Sequence, residues 1–238
     1  MAGRHALRGF TLVELLVALF VMSLVAVLAW RGLDGMTRAQ AATQERADHV
    51  LALQVGLAQW NTDLDAIAQV PDRSALDWNG RVLRLTRRAP PGMPEGLVVA
   101  AWTRRVVEGR TTWLRWQSPV LATRSELEQA WLRADTWSQN PGDAERAAEV
   151  AVVPLAQWQV FFFRGGAWTN PLSSDEPAAG SEAPPRGTGS GTGQQARADG
   201  SNVLPDGVRA ILTLPPDHPL GGTLTLDWAS PRVAGGRS

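Results

Sequence analysis

A single carboxylate lies inside a long apolar stretch near the start of the chain. From Phe10 to Trp30 the sequence holds one charged residue, Glu14. A charged side chain within a membrane helix costs about 2.5–3.5 kcal/mol on insertion scales, so such a residue usually has a partner. Cleavage after Gly9 would supply one, because the new α-amine of Phe10 is a cation at neutral pH. Glu14 lies one helical turn away and can neutralise that amine in its own helix or in a neighbouring one.

The residues around this carboxylate have the organisation of a membrane anchor. The first nine residues contain Arg4 and Arg8 and no acid, and the 21 residues 10–30 follow them. A helix of that length spans about 31 Å, which matches the bilayer core. The two arginines predict a cytoplasmic N-terminus, although Arg31 reduces this charge asymmetry. The apolar run is too long for an ordinary cleaved signal peptide, whereas a plain signal anchor stays an alternative.

The same segment carries a sequence motif. It is the run Arg8-Gly9-Phe10-Thr11-Leu12-Val13-Glu14-Leu15-Leu16-Val17-Ala18. This run resembles the N-terminus of type IV pilins and pseudopilins, in which Gly precedes Phe-Thr-Leu-x-Glu and an apolar helix. The resemblance implies that residues 1–9 are a leader, and that a prepilin peptidase cuts between Gly9 and Phe10 and methylates the amine of Phe10. It also implies that Glu14 guides the assembly of subunits into a filament.

Beyond the apolar stretch, helical spacing continues and then changes to the spacing of strands. Apolar or small residues recur at steps of three, four and seven as far as Ile67, and the first proline after the leader is Pro71. This pattern predicts that the helix continues over residues 31–70, with residues 47–68 packed on a sheet. Residues 71–232 are predicted to form a β-rich domain. The predicted fold class is therefore α+β and pilin-like, with a long N-terminal helix packed on antiparallel sheet.

Alternation of apolar and polar residues indicates strands in that domain. The predicted strands are 81–85, 97–107, 111–116, 158–163, 208–214 and 223–228. Ser125 and Glu128 have the spacing of a capping box, which predicts a helix over residues 125–138. The stretch 173–202 is rich in Gly, Ser, Pro and Ala, so we expect a flexible surface loop there, and residues 233–238 are expected to be disordered. The chain has eleven Trp and no Tyr, and Trp at strand positions predicts core packing.

Three further stretches carry a second resemblance. They are Trp30-Arg31-Gly32-Leu33-Asp34, Leu57-Ala58-Gln59-Trp60-Asn61-Thr62-Asp63-Leu64, and Gln157-Trp158-Gln159-Val160-Phe161-Phe162-Phe163-Arg164-Gly165-Gly166-Ala167-Trp168 before a return strand that starts Leu204-Pro205-Asp206-Gly207-Val208. In this order they resemble the minor pseudopilin J family (GspJ) of type II secretion systems. The stretch 173–202 is longer than the compact family version, and residues 119–150 match less clearly. A minor pilin of a type IV pilus is therefore the alternative.

The resemblance implies a structural protein and not an enzyme. Its place would be at or near the tip of the type II secretion pseudopilus, where it would help to initiate assembly and the export of folded proteins across the outer membrane. The implied partners are the I and K minor pseudopilins, the major pseudopilin, the prepilin peptidase, the inner-membrane assembly platform and membrane lipid. The implied location is the bacterial inner membrane, with a single pass and a periplasmic C-terminal domain.

The rest of the sequence offers little catalytic chemistry. There is no Cys, and no two of the three histidines, His5, His49 and His218, have metal-ligand spacing, so neither a metal nor another cofactor is expected. Asp63 and Asp65 are expected to be solvated or to cap the helix, because a calcium site needs more oxygen ligands. A membrane-anchored periplasmic enzyme is the alternative outside the filament proteins.

The charge of the chain gives no footprint for nucleic acid. Basic and acidic residues both number 23, and loss of the two leader arginines would leave 21 basic residues against 23 acidic ones. A domain that binds nucleic acid usually carries a basic patch and a high isoelectric point. Nucleic acid is therefore not an expected partner.

Overall fold

The computed structural model describes residues 10–172 and 203–231. The predicted leader (1–9), loop (173–202) and tail (233–238) lie outside the described residues. The chain divides into two compact units, Met1–Asp48 and His49–Ser238. One long helix contributes its first part to the first unit and its second part to the second unit.

Helices and antiparallel strands make up the described part of the chain. The helices are α1 (Leu12–Asp65), α2 (Arg124–Gln139) and α3 (Asp143–Ala147). The strands are β1 (Leu76–Trp78), β2 (Val82–Arg88), β3 (Leu97–Val107), β4 (Arg110–Gln117), β5 (Glu149–Pro154), β6 (Gln157–Arg164), β7 (Ala167–Thr169), β8 (Gly207–Leu214) and β9 (Gly222–Ala229). They form one sheet in the order β1-β2-β3-β4-β5 and another in the order β7-β6-β8-β9, with every neighbouring pair antiparallel. This architecture confirms the predicted α+β class.

The hairpin of β3 and β4 was predicted correctly, and β3 begins and ends at the predicted residues. Val107 pairs with Arg110, which leaves Glu108 and Gly109 as a two-residue turn. Their φ angles are 50° and 78°. Positive φ at both central residues matches the twist of the flanking strands in a hairpin turn, and Gly109 meets this requirement without a Cβ clash.

Two hydrophobic cores lie on the two faces of the five-stranded sheet. One core joins the end of α1 to both sheets, and the other lies under α2. Alternate residues of β3 point into the two cores: Ala100 and Trp102 belong to the first core, and Val99 and Ala101 belong to the second. The first part of the strand is thus buried on both faces, which explains the apolar run from Leu97 to Trp102.

A cluster of five tryptophans fills the first core. Its members are Trp60, Trp78, Trp102, Trp113 and Trp158, and the ring centroids in contact are 4.5–6.4 Å apart. Aromatic rings at such separations add about 0.5–1.5 kcal/mol per pair to the stabilisation from burial. The expectation that tryptophans at strand positions pack in the core is confirmed.

Helix α1 ends earlier than the spacing of apolar residues indicates. It ends at Asp65, whereas the predicted boundary is residue 70. The following residues leave the helix to pair with β2: the Ala68 N–H donates to the Thr86 carbonyl at 3.0 Å, and the Arg88 N–H donates to the Ala66 carbonyl at 3.0 Å. The apolar residues after Asp65 therefore face the core from an extended segment, which the helical period did not anticipate.

The predicted capping box of α2 is wrong by two residues. Thr123 caps the helix in place of Ser125: its side chain accepts from the Glu126 N–H at 3.2 Å, and Glu126 accepts from the Thr123 N–H at 3.0 Å. The N–H of Ala122 also donates to Glu126 at 2.7 Å. These backbone donors hold the pKa of the Glu126 carboxyl below its usual value. Strands β1, β5 and β7 and helix α3 are absent from the predicted elements.

Candidate functional site

Glu14 lies in the first turn of helix α1 and bonds to Thr11. The N–H and Oγ1 of Thr11 donate to Glu14 Oε2 at 3.1 and 3.0 Å, and the Glu14 N–H donates to Thr11 Oγ1 at 3.3 Å. This reciprocal pattern satisfies the N–H groups of Thr11 and Glu14 and places a negative charge at the positive end of the helix dipole.

The roles of Gly9, Phe10 and Glu14 stay predictions. Gly9 lies outside the described residues, and the side chain of Phe10 is 85% exposed. The nitrogen of Phe10 is part of the peptide bond to Gly9 in the full chain. The amine that Glu14 is predicted to neutralise therefore exists only after cleavage.

The apolar part of α1 is uncovered along its whole length. Its 18-residue window has a mean hydropathy of 2.8 and no buried residue. In the described part of the chain, α1 is the one helix long and apolar enough to cross a membrane. Large apolar side chains from Phe10 to Trp30 are at least half exposed. Such a surface needs lipid or another protein to cover it.

Asp63 lies near the end of α1 and is completely buried. Five donors converge on its carboxylate. They are Trp102 Nε1 at 2.9 Å, Arg115 Nε and Nη2 at 2.8 Å each, Gln59 Nε2 at 2.8 Å, and Arg87 Nη1. The expected solvated or capping role of Asp63 is wrong, because its partners come from three strands of the five-stranded sheet.

The Asp63 cluster, which consists of Asp63 with Arg87 and Arg115, carries more positive than negative charge. The side chain of Arg87 is 3% exposed and that of Arg115 is 12% exposed, so water screens this group weakly. One carboxylate faces two guanidinium groups, which leaves an excess of one positive charge. Removal of one partner from such a buried group costs far more than the intact group contributes, because it leaves an unpaired buried charge.

Asp65 bonds to the other sheet. Its carboxylate accepts from Trp228 Nε1 of β9 at 2.8 Å. Two residues on a helix lie about 200° apart around its axis, so Asp63 and Asp65 point to nearly opposite sides. The end of α1 is therefore tied to the five-stranded sheet through one carboxylate and to the four-stranded sheet through the next. Asp65 itself is exposed.

A cleft of about 350 Å³ lies between α1 and β5, and we refer to it as the α1–β5 cleft. One wall is formed by five residues of α1: Leu51, Ala52, Val55, Gly56 and Gln59. The other wall is formed by Val150, Ala151 and Val152 of β5, and the floor by Trp102 and Arg115. The helix comes very close to the strand at Gly56, where an added Cβ would lie 2.1 Å from Val152 Cγ1. A side chain at this position would therefore force Val152 or the helix to shift.

His49 of α1 and His218, in the segment between β8 and β9, come together although they are far apart in sequence. Their ring centroids are 4.7 Å apart, edge to face. The backbone N–H of Leu220 donates to His218 Nδ1 at 3.2 Å. Desolvation by burial and then the nearby His49 lower the pKa of His218, and Asp217 partly offsets this.

These groups do not form a metal-binding constellation. Among residues 10–172 and 203–231, no three His, Cys, Asp or Glu side chains lie close enough to hold a metal ion. The histidine pair has no third ligand there, and the carboxylate of Asp63 is fully used by its donors. The Asp63 cluster can anchor the end of α1. The sequence signal that could have predicted it is the presence of arginines, Arg87 and Arg115, at strand positions that face the core.

One family model matches the start of the chain. Residues 4–30 match the prokaryotic N-terminal methylation motif. The match includes Gly9, Phe10 and Glu14, and it confirms the prediction of a prepilin-type N-terminus. It covers a short part of the chain and does not reach the second unit.

Comparison with solved structures gives a weak likeness in fold. No curated protein matches the chain. The chain is similar to a chain in the crystal structure of the GspK-GspI-GspJ complex from the Type 2 Secretion System of enterotoxigenic Escherichia coli, with 15% identity and a TM-score of 0.41. The match covers 76% of this chain and 96% of that chain.

Proposed function

We propose that this chain is a minor pseudopilin of a type II secretion machine, of the J type, and acts as a structural subunit. The observation that carries the proposal is the methylation motif at residues 4–30, which opens a 54-residue helix with an uncovered apolar first part. A subunit that leaves the membrane to enter a filament needs such a helix, because the same surface must face lipid first and other subunits afterwards.

The J type is supported by the three stretches that resemble that family. One of them ends with Asp63 and Leu64, and both side chains are buried in the second unit. In this proposal the stretch serves a structural purpose, because Asp63 binds the end of the helix to the strands that follow. The subunit would lie at or near the tip of the pseudopilus, help to initiate its assembly and support the export of folded proteins.

The membrane arrangement and the partners belong to the same proposal. The leader would lie in the cytoplasm, residues 10–30 would span the inner membrane once, residues 31–70 would continue the helix, and residues 71–232 would lie in the periplasm. The partners would be the I and K minor pseudopilins, the major pseudopilin, the prepilin peptidase and the assembly platform. Glu14 would neutralise the amine of Phe10 during assembly, where an unpaired charge in lipid is costly.

The first test is the chemical nature of the N-terminus. We expect the protein from membranes of its own host to lack the nine-residue leader and to have 229 of its 238 residues, starting with N-methylated Phe10. Intact mass and N-terminal sequencing measure this directly. Replacement of Gly9 by Leu should leave the full-length chain in the membrane, because a bulky residue blocks the cleavage site. A leader that is still present in the wild-type protein would show a signal anchor instead.

A second experiment separates secretion from pilus assembly. Deletion of the gene should abolish export of folded proteins to the medium and leave surface pili unchanged, and Glu14→Ala should be cleaved normally but incorporated poorly. Glu14→Asp is the matched control that keeps the charge. Loss of surface pili with normal export would identify a minor pilin of a type IV pilus.

A further inference from the structure

The α1–β5 cleft has the size and the walls of a small ligand site. Its volume of about 350 Å³ lies within the range of small-molecule pockets. Apolar side chains form both walls, and Leu51, Val55 and Val150 are each more than half exposed there. A solvated cleft with such walls is stabilised when an apolar group replaces the water in it.

The polar groups of the cleft lie at one end of it. Gln59 and Arg115 both donate to Asp63, so both lie beside the last turns of α1. Leu51 lines the cleft eight residues before Gln59, which corresponds to about 12 Å along a helix. The cleft is therefore apolar over most of its length and polar at the end nearest to the Asp63 cluster.

That polar end carries a positive charge with free donors. The Nε and Nη2 of Arg115 donate to Asp63, and Nη2 also donates to Gln117 at 2.7 Å. Its Nη1 has no acceptor among the described residues, so two N–H bonds remain for a ligand. The excess positive charge of the Asp63 cluster stays near this end.

A nearby acid does not cancel this charge. Glu149 precedes the strand wall, but it accepts from Arg105 at 2.6 Å and from Trp137 Nε1 at 2.7 Å. Trp137 belongs to the core under α2, on the opposite face of the five-stranded sheet. Successive side chains of a strand point to opposite faces, so Glu149 points away from the cleft that Val150 lines.

We propose that the α1–β5 cleft binds a long-chain carboxylic acid, with the hydrocarbon chain between the two walls and the carboxylate on Arg115. A charge-assisted bond from a guanidinium to a carboxylate is among the strongest hydrogen bonds in proteins. The apolar side chains of the walls suit a hydrocarbon chain and the charged end suits its carboxylate, whereas a peptide would pair with the free backbone edge of β5, which does not involve Arg115.

Photolabelling tests the proposal with the full chain in lipid nanodiscs. The probe is dodecanoic acid with a diazirine near the end of its chain, and labelled peptides are identified by mass spectrometry. We expect label on residues 49–59 and 149–154, in addition to the label that any lipid-soluble probe leaves on residues 10–30.

Unlabelled dodecanoic acid should displace the label in the cleft at a concentration roughly tenfold lower than 1-dodecanol, because the alcohol lacks the charge that Arg115 binds. The label on residues 10–30 serves as the internal reference for probe in the bilayer.

A matched pair of variants tests the role of charge and leaves every residue of the Asp63 cluster in place. Val55 is 68% exposed, so both Val55→Glu and Val55→Gln should fold. A carboxylate on the cleft wall competes for Arg115 and repels the ligand, whereas the amide of similar size does not. We expect labelling of the cleft to fall roughly tenfold more in Val55→Glu than in Val55→Gln.

Four outcomes would overturn the proposal. Label restricted to residues 10–30 would mean that the probe only partitions into lipid. Equal displacement by the acid and the alcohol, or equal labelling of the two variants, would mean that Arg115 does not recognise the carboxylate. Displacement by apolar peptides but not by dodecanoic acid would assign the cleft, together with the edge strand β5, to a peptide.

Discussion

The two parts of helix α1 differ in what surrounds their side chains. Residues 12–48 belong to the first unit and are exposed throughout, including the large apolar ones. Residues 49–65 belong to the second unit, and there Gly56, Trp60, Asp63 and Leu64 are buried. One continuous helix thus presents one part without cover and another part with close contacts to its own domain.

This difference separates two kinds of position in α1. At some positions the contacts within the domain limit which side chain fits, and at the others only an outside partner can do so. The glycines illustrate it, because an added Cβ meets nothing within 4 Å at Gly32 or Gly35 but meets Val152 at Gly56. The acids illustrate it too, because Asp34 forms an exposed pair with Arg38, whereas Asp63 is enclosed by five donors. Substitutions matched in type should therefore have very different effects in the two parts.

The largest difference is expected between Asp63→Asn and Asp34→Asn. The first substitution leaves Arg87 and Arg115 buried without a countercharge, so it should lower the free energy of unfolding by about 3–5 kcal/mol. The second removes an exposed ion pair and should cost at most about 1 kcal/mol. Pulse proteolysis over a urea series, with the full chain in detergent micelles, measures both values. Equal effects of the two substitutions would contradict the burial of the Asp63 cluster.

A smaller difference is expected between Gly56→Ala and Gly35→Ala. The methyl group at residue 56 forces α1 and Val152 apart, and overpacking of this kind costs about 1–3 kcal/mol. At residue 35 the methyl group meets no neighbour and raises the helix propensity, so the second variant should be as stable as wild type or up to about 1 kcal/mol more stable. The same urea series applies here. A stabilised Gly56→Ala variant would mean that the contact of α1 with β5 is looser than described.

The smallest effect is expected from pH, through His218. Burial and the adjacent His49 lower its pKa from 6.5, so the folded state prefers the neutral ring. The unfolded chain takes up the proton first as the pH falls, so stability is complete above about pH 6.5 and decreases below it. His218→Gln should reduce this decrease, whereas substitution of the exposed Asp217 by Asn should deepen it, since Asp217 favours the charged ring. Urea midpoints measured at pH 7.5 and pH 5.5 give the loss of stability between the two pH values. A loss in His218→Gln as large as in the wild type would contradict the role of His218.

The sequence allowed much of the fold to be predicted because its local signals agree with the tertiary structure. Strand β3 was found in full since its first six residues are apolar and the turn at Glu108 and Gly109 follows it. The prepilin-type N-terminus was found because its motif is local and needs no knowledge of the domain. The second part of α1 was correctly assigned to the core through Leu57, Trp60 and Leu64.

The errors lie where distant residues decide the local structure. Asp63 was expected in water because nothing adjacent in sequence indicates that Arg87, Trp102 and Arg115 converge on it. The end of α1 was placed too late because pairing with β2 overrides the helical spacing of Ile67. Strand β5 was missed because it lies at the edge of its sheet, where its outward side chains do not alternate clearly.

The tryptophan cluster of the first core has an optical consequence. Rings whose centres are 4.5–6.4 Å apart have coupled electronic transitions, so they should give an exciton couplet in the ultraviolet circular dichroism spectrum and exchange excitation energy rapidly. Trp60 comes from α1, Trp102 and Trp113 come from one sheet, and Trp158 comes from the other. The Trp102–Trp113 pair needs only the five-stranded sheet, whereas the pairs with Trp60 and Trp158 also need α1 and the four-stranded sheet. The couplet therefore reaches its full shape only when all three elements are in contact, so its shape in the unlabelled protein reports whether the second unit is assembled.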